Sequence, residues 1–197
     1  MNEKIITRIT NFLARNSTRE YIPSSDDYEI LRYGIAVLYY TITKTILLLI
    51  AAIALNMLLY VLVFMGVFGG LRIFAKGMHL KSNLGCTILG FANYIVGIYL
   101  ALHLNIGNLI TFSIFGACFL LNAIYAPSPT ENSPIREKKI TTLKIRTLIA
   151  MGCLCVIMLV IGDSVYRNII LIATVIETMH ILPITYKIFR ERREYLV

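Results

Sequence analysis

Charge is scarce in this chain. Only 15% of its 197 residues are Asp, Glu, Lys or Arg, whereas 57% are hydrophobic and the mean hydropathy is +0.73. Soluble domains are about half apolar and about a quarter charged, so a water-soluble globular core is excluded as the main design. Acidic residues are the rarer sign, 11 against 19 basic ones, for a net charge of +8. That excess suits nucleic acid, anionic lipid or an acidic peptide. In a chain immersed in a bilayer no nucleic acid is expected, and basic flanks against anionic headgroups account for the charge. Cysteine is sparse too: Cys86, Cys118, Cys153 and Cys155 form no zinc-ligand spacing. No metal and no cofactor are therefore expected. Cys118, Cys153 and Cys155 fall inside apolar runs, where a thiol packs as a small hydrophobe. Internal repeats and low-complexity tracts are missing. No cleavable signal peptide is expected, because the first 20 residues are polar and charged without a continuous apolar region.

What the chain does have is long apolar runs, and runs of about 20 residues read as membrane-spanning helices. The expected fold is all-α: a polytopic helical membrane protein, one membrane-embedded domain over residues 1–197, with about six apolar segments behind an N-terminal amphipathic helix. Residues 1–32 form an interfacial arm. In it Ile5, Ile6, Ile9, Phe12 and Leu13 recur at helical spacing among Lys4, Arg8, Arg15 and Arg19, which gives one greasy and one cationic face. Tyr21 to Asp27 ends that helix, with Ser25 or Asp26 as the cap of the next. The apolar segments then run from about Tyr33 to Leu55, Met57 to Leu71, Leu84 to Leu104, Asn108 to Tyr125, Leu148 to Gly162 and Val165 to Ile188. Residues 126–147 form a proline-containing basic loop.

The charges orient these segments. Lys and Arg gather in cytoplasmic loops. With six crossings and both termini inside, every one of the 19 basic residues except Lys44 and Arg167 lies on the cytoplasmic side. Fusing the first two segments into one span would break this pattern. A shallow re-entrant pair would preserve it, and Lys44 and the short second segment keep that alternative open.

One stretch carries reactive groups. Between Gly69 and Cys86 a glycine-broken basic sequence interrupts the apolar chain and holds His79 and Cys86, seven positions apart. A thiol and an imidazole are the two groups a cysteine nucleophile needs. On an unbroken helix they would stand about 10 Å apart along the axis, whereas a base must come within about 3 Å of its thiol. The backbone is therefore expected to bend between them, at Gly77, Ser82-Asn83 and Gly85. A helix capped by Ser82 or Asn83 would place Cys86 in its first turn. There the helix N-terminus, with Lys81 and Arg72, favours a thiolate.

The pattern Arg72-x-x-x-Lys76-Gly77-x-His79-x-Lys81-Ser82-x-x-x-Cys86 resembles the signature of the accessory gene regulator protein B (AgrB) family. In that family an Arg, a Gly-rich step, a His and a Cys recur with the same His-to-Cys separation. The likeness covers nearly the whole chain: the amphipathic arm before an apolar hairpin, Tyr125-Ala126-Pro127 opening the basic loop, and Leu182-Pro183 in the last segment. It departs at Lys76-Gly77, where the family shows two glycines. The resemblance implies a cysteine endopeptidase of the bacterial cell membrane that acts in quorum sensing, with its site at the cytoplasmic edge. Its partner would be a small precursor peptide with an amphipathic N-terminal helix and an acidic C-terminal tail. Cys86 would cut off that tail through a thioester, and an internal Cys or Ser of the precursor would close a thiolactone or lactone ring. His79 would be the base. The cations Arg72, Lys76, Lys81, Arg136, Lys138 and Lys139 would bind the precursor, the last three suiting its acidic tail, and the family implies a homodimer.

Two further features stand out. Glu177 and His180 lie three apart on one helical face inside the last apolar segment. Such a pair carries protons, orients His79 or simply hydrogen-bonds near the inner edge. Asn93 and Asn122 suit interhelical hydrogen bonds. A rival function, a small transporter or peptide exporter without a covalent step, would need paired repeats and a polar path through the bundle, and the sequence has no repeat.

Overall fold

A computed structural model describes residues 2–16, 26–78, 83–130, 135–189 and 195–196. The chain forms two compact units, Met1–Asn56 and Met57–Val197. Almost all of their described residues are helical. In the first unit, α1 (Asn2–Arg15) packs on the start of α2 (Asp26–Ala54). Ile6, Thr10, Tyr28 and Ile35 are buried there, and the Tyr28 hydroxyl donates to Asn11 Oδ1 at 2.6 Å. The other apolar side chains of α1, Ile5, Ile9, Phe12 and Leu13, stay exposed, as an interfacial helix requires. Of the two expected caps, Ser25 lies outside the described residues and Asp26 is the first residue of α2. α2 begins at Asp26, so the arm gives way to the first long helix well before residue 32. A turn with Asn56 at φ 55° ends this unit.

The second unit contains α3 (Leu58–Ala75), α4 (Asn83–His103), α5 (Asn108–Tyr125), α6 (Glu137–Val160), α7 (Ser164–Ile181) and the short α8 (Pro183–Ile188). Among the described residues five helices, α2 to α6, are long and apolar enough to cross a membrane, and this is a multi-pass membrane protein. α7 is not among the five, although it is as long as α3 at 18 residues. It packs against α3, α4 and α5. Protein rather than lipid surrounds it, so it can carry Asn168, Thr174, Glu177, Thr178 and His180, all buried. A polar side chain in a membrane goes where neighbouring helices supply its partners. Thr174 and Thr178 return their hydroxyls to the carbonyls four residues back, and Asn122 of α5 donates to Thr178 Oγ1 at 2.9 Å. The expected sixth segment is in fact broken at Leu182, with Pro183 opening α8, since proline suits the first helical position and no interior one.

Two further boundaries differ from the sequence expectation. α3 runs on to Ala75, past the Leu71 at which the apolar count stopped. Arg72 sits within its last turn and points into protein, where its charge is matched (below). The helix thus reaches about 27 Å, enough for the hydrocarbon core of about 30 Å. The basic loop expected through residue 147 ends at Arg136, and Lys138, Lys139, Lys144 and Arg146 ride on the first turns of α6. Nothing after Pro134 stops a helix, and long cationic side chains extend to water while their stems cover apolar surface. Two short extended contacts accompany the helices. Ile135–Arg136 pairs in parallel with Tyr195–Leu196, and Lys76 bridges to Ser128.

The helix ends sort into two sets. Asn168, near the start of α7, donates to the carbonyls of Ala101 and Leu104 at the end of α4, at 3.3 and 2.7 Å. At the opposite end the C-termini of α3, α5 and α7 converge, and hydrogen bonds through Ser128 and Met78 tie them together.

Candidate functional site

Three residues leave α3 as an extended strap, Lys76, Gly77 and Met78. The strap is held by backbone bonds on both sides. Gly77 N–H donates to Ser128 O at 2.9 Å, Ser128 N–H to Ala75 O at 2.9 Å, and Met78 N–H to His180 O at 3.0 Å. Ser128 lies just beyond the cis Ala126–Pro127 peptide. Its hydroxyl donates to Ile181 O at 3.0 Å, and the Tyr186 hydroxyl of α8 donates to Ser128 O at 2.9 Å. Ala75, Ala126 and Ile181 pack as a small apolar core beside it, with Tyr125 against them.

Gly77 has φ +110°, and a Cβ there would stand 3.0 Å from Arg72 Nη1 and 3.3 Å from His180 O. Both conformation and space demand glycine. Lys76 has φ 64° and ψ −122°, also a glycine conformation, occupied here by a side chain at a cost of about 1–3 kcal/mol. The double glycine of the resembling pattern thus has a physical reason. Lys76→Gly should raise stability by about 1 kcal/mol, read as a higher thermal midpoint in detergent. An unchanged or lower midpoint would show that the strap imposes no strain there.

Behind the strap lies a buried polar cluster. Arg72 Nη1 contacts Glu177 Oε2 at 3.1 Å and His180 Nδ1 at 3.0 Å, while Nη2 donates to the Met78 carbonyl. Glu177 is 1% exposed. His180 Nε2 lies 3.2 Å from the Asn93 side-chain amide on α4. The His180 ring meets Phe68 edge to face, and the Arg72 guanidinium lies over Phe68. Tyr94 packs against Phe64 and Phe68.

Cys86 is the fourth residue of α4 and is half-buried, so it falls in the first turn as expected. Asn93 follows it by seven residues, two turns or about 10 Å along the axis on nearly the same face. Since Asn93 reaches His180, Cys86 belongs to the face of α4 that turns toward α7. His79 and Lys81 lie outside the described residues. The strap nonetheless ends at Met78, the residue before His79. Among the expected cations, Arg72 is turned inward onto Glu177, Lys76 is half-buried in the strap, and Arg136, Lys138 and Lys139 are exposed at the start of α6. The sequence pointed to Glu177 and His180 as a pair and to Asn93 as an interhelical donor, but not to Arg72 as their common partner. Arg72 is 105 residues from Glu177. A signal was present: a buried carboxylate needs a cation, and Arg72 ends a helix that runs parallel to α7.

Residues 6–181 match the model of the accessory gene regulator B family. The chain belongs to the AgrB family. It is 29% identical over 163 residues to a putative AgrB-like protein of Clostridium acetobutylicum, covering 82% of this chain and 78% of that one. It is 27% identical over 184 residues to the accessory gene regulator protein B of Staphylococcus epidermidis, covering 93% and 92% of the two chains. A putative AgrB-like protein of Listeria monocytogenes is 25% identical over 168 residues, 85% of this chain and 82% of that one. No solved structure matches the chain.

Proposed function

We propose that this AgrB-family protein is a cysteine endopeptidase of the bacterial cell membrane that matures a small autoinducing-peptide precursor for quorum sensing. The observation that carries this reading is the position of Cys86. It lies in the first turn of α4, partly open, at the end of the unit where the strap leading into His79 is anchored. The thiol proton passes to His79, and Sγ attacks the scissile carbonyl carbon. The carbon–nitrogen bond breaks as His79 returns the proton to the leaving amine. An internal thiol or hydroxyl of the precursor then attacks the thioester, which closes the ring and restores the Cys86 thiol. Shielding by lipid and protein favours this transfer over hydrolysis.

The departing tail is acidic, and the exposed Arg136 just before α6, with Lys138 and Lys139 in its first turn, offers it a cationic landing. Basic residues crowd this end of the unit, which supports a cytoplasmic position for the site. The amphipathic α1 suits a leaflet shared with the precursor's own amphipathic helix, and the enzyme works as a homodimer.

The test uses the full protein in lipid vesicles with a precursor carrying an internal Cys or Ser and an acidic tail. Intact mass after a short incubation should show the N-terminal fragment attached as a thioester, mapped to the peptide containing Cys86. Cleavage that proceeds with the acyl group on another residue, or on none, refutes the assignment.

A further inference from the structure

We propose that Glu177 and His180 are positioning residues for acyl transfer: through Arg72 they hold the peptide that enters His79, and through Asn93 they tie it to the helix that carries Cys86. This rests on reading His79 and Cys86 as the reacting pair.

The Met78 backbone is gripped at both its polar groups. Its N–H donates to His180 O at 3.0 Å, and its carbonyl accepts from Arg72 Nη2. That carbonyl belongs to the planar peptide group joining Met78 to His79. Its orientation therefore sets the direction in which the chain leaves for His79. Arg72 can impose an orientation because its guanidinium is a rigid planar fork. Nη1 is anchored on Glu177 Oε2 at 3.1 Å and on His180 Nδ1 at 3.0 Å, and fixing Nη1 fixes Nη2. Gly77 completes the arrangement. Any side chain there would meet Arg72 Nη1, His180 O and, at 3.4 Å, Glu177 Oε1.

Donor and acceptor counting assigns the tautomer of His180. A guanidinium only donates, so Nδ1 must accept and the ring proton sits on Nε2. Asn93 must then present its side-chain oxygen to Nε2–H, the flipped assignment of an amide whose two ends look alike. His180 is thus a neutral ring with one nitrogen bound to α3 through Arg72 and the other to α4 through Asn93, at 3.0 and 3.2 Å. Cys86 is two turns from Asn93 on that same face of α4. One side chain on α7 therefore references both the segment that leads to the base and the helix that bears the nucleophile.

Packing alone does not require this cluster. Apolar side chains of similar volume commonly replace a buried ion pair without loss of stability. They could not hold the Met78 carbonyl.

The experiment measures single-turnover acylation of Cys86 and precursor affinity in the full chain in vesicles. Glu177→Gln keeps the volume and an acceptor oxygen but removes the charge that aligns Arg72. Acylation should slow on the order of tenfold to a hundredfold, with precursor affinity little changed. Arg72→Lys, which cannot fork, should show the same split. Combining the two should cost hardly more than either alone, since both act through one contact. Asn168→Ala controls for general destabilisation. It removes the buried cap from the end of α4 and should lower the thermal midpoint while acylation per folded molecule stays at the wild-type rate. Wild-type acylation in Glu177→Gln, additive losses in the double variant, or an equal slowing by Asn168→Ala would each overturn the proposal. If the unmutated protein forms no Cys86 adduct at all, the endopeptidase reading itself falls, and this inference with it.

Discussion

A chain carrying Cys86→Ala is expected to bind the precursor and leave it whole. The alanine methyl occupies the place of the β-carbon in the first turn of α4, and removing one sulfur from a half-buried position leaves no large void. Folding should therefore survive. Catalysis should not, because the route through a covalent intermediate disappears entirely. Loss of a nucleophile that works as a unit with its base costs on the order of 10⁴-fold or more in rate. Affinity should be nearly unaffected, since the exposed cations offered to the acidic tail sit at the start of α6, not on α4. Precursor bound to the variant and precursor cut by it can be read in one vesicle pull-down followed by mass analysis. Cleavage at more than a hundredth of the normal rate (about 3 kcal/mol of lost barrier stabilisation) would exclude Cys86 as the nucleophile.

Arg72→Ala should produce the largest loss of stability of any single substitution near the strap, about 3–5 kcal/mol. Glu177 is 1% exposed, and Arg72 is the partner of its Oε2; its Oε1 has no hydrogen-bond partner among the described residues. Removing the guanidinium therefore strands a buried carboxylate. It also frees His180 Nδ1 and the Met78 carbonyl from the same donor. Adding Glu177→Leu to Arg72→Ala should restore more than half of the loss, because the stranded charge goes with it. Unfolding in a detergent titration, compared across wild type, the two single variants and the double, gives the coupling. If the double variant were the least stable of the four, the two residues would not be acting as a compensated pair.

The two results would separate chemistry from framework, and the sequence was not equally informative about them. The α5 segment, Asn108–Tyr125, was legible to the residue, because an uninterrupted apolar run ends there at a proline-containing corner. The position of Cys86 in the first turn of a helix was legible from Ser82 and Asn83 as helix-starting signals, whereas Gly85, expected as a bend, lies inside α4. Boundaries failed wherever a charge lay on a helix. α3 continues through Arg72, and α6 begins eleven residues before the expected apolar run, carrying Lys138 to Arg146. A hydropathy count treats every cation as solvent. The actual cations were either matched inside protein or extended from the helix to water.

Composition and periodicity alone determined that this is a helical membrane protein with an amphipathic first helix, and the stretch from Arg72 to Cys86 carried the resemblance to its family. Those features are local: each depends on which side chains follow one another within a turn or a span. Which cation answers Glu177, why position 77 must be glycine, and how His180 comes to join α3 to α4 were decided only by the tertiary structure. Such partners meet because parallel helices bring distant residues to the same depth, and burial in a low-dielectric core leaves an ionised group no substitute for a protein partner.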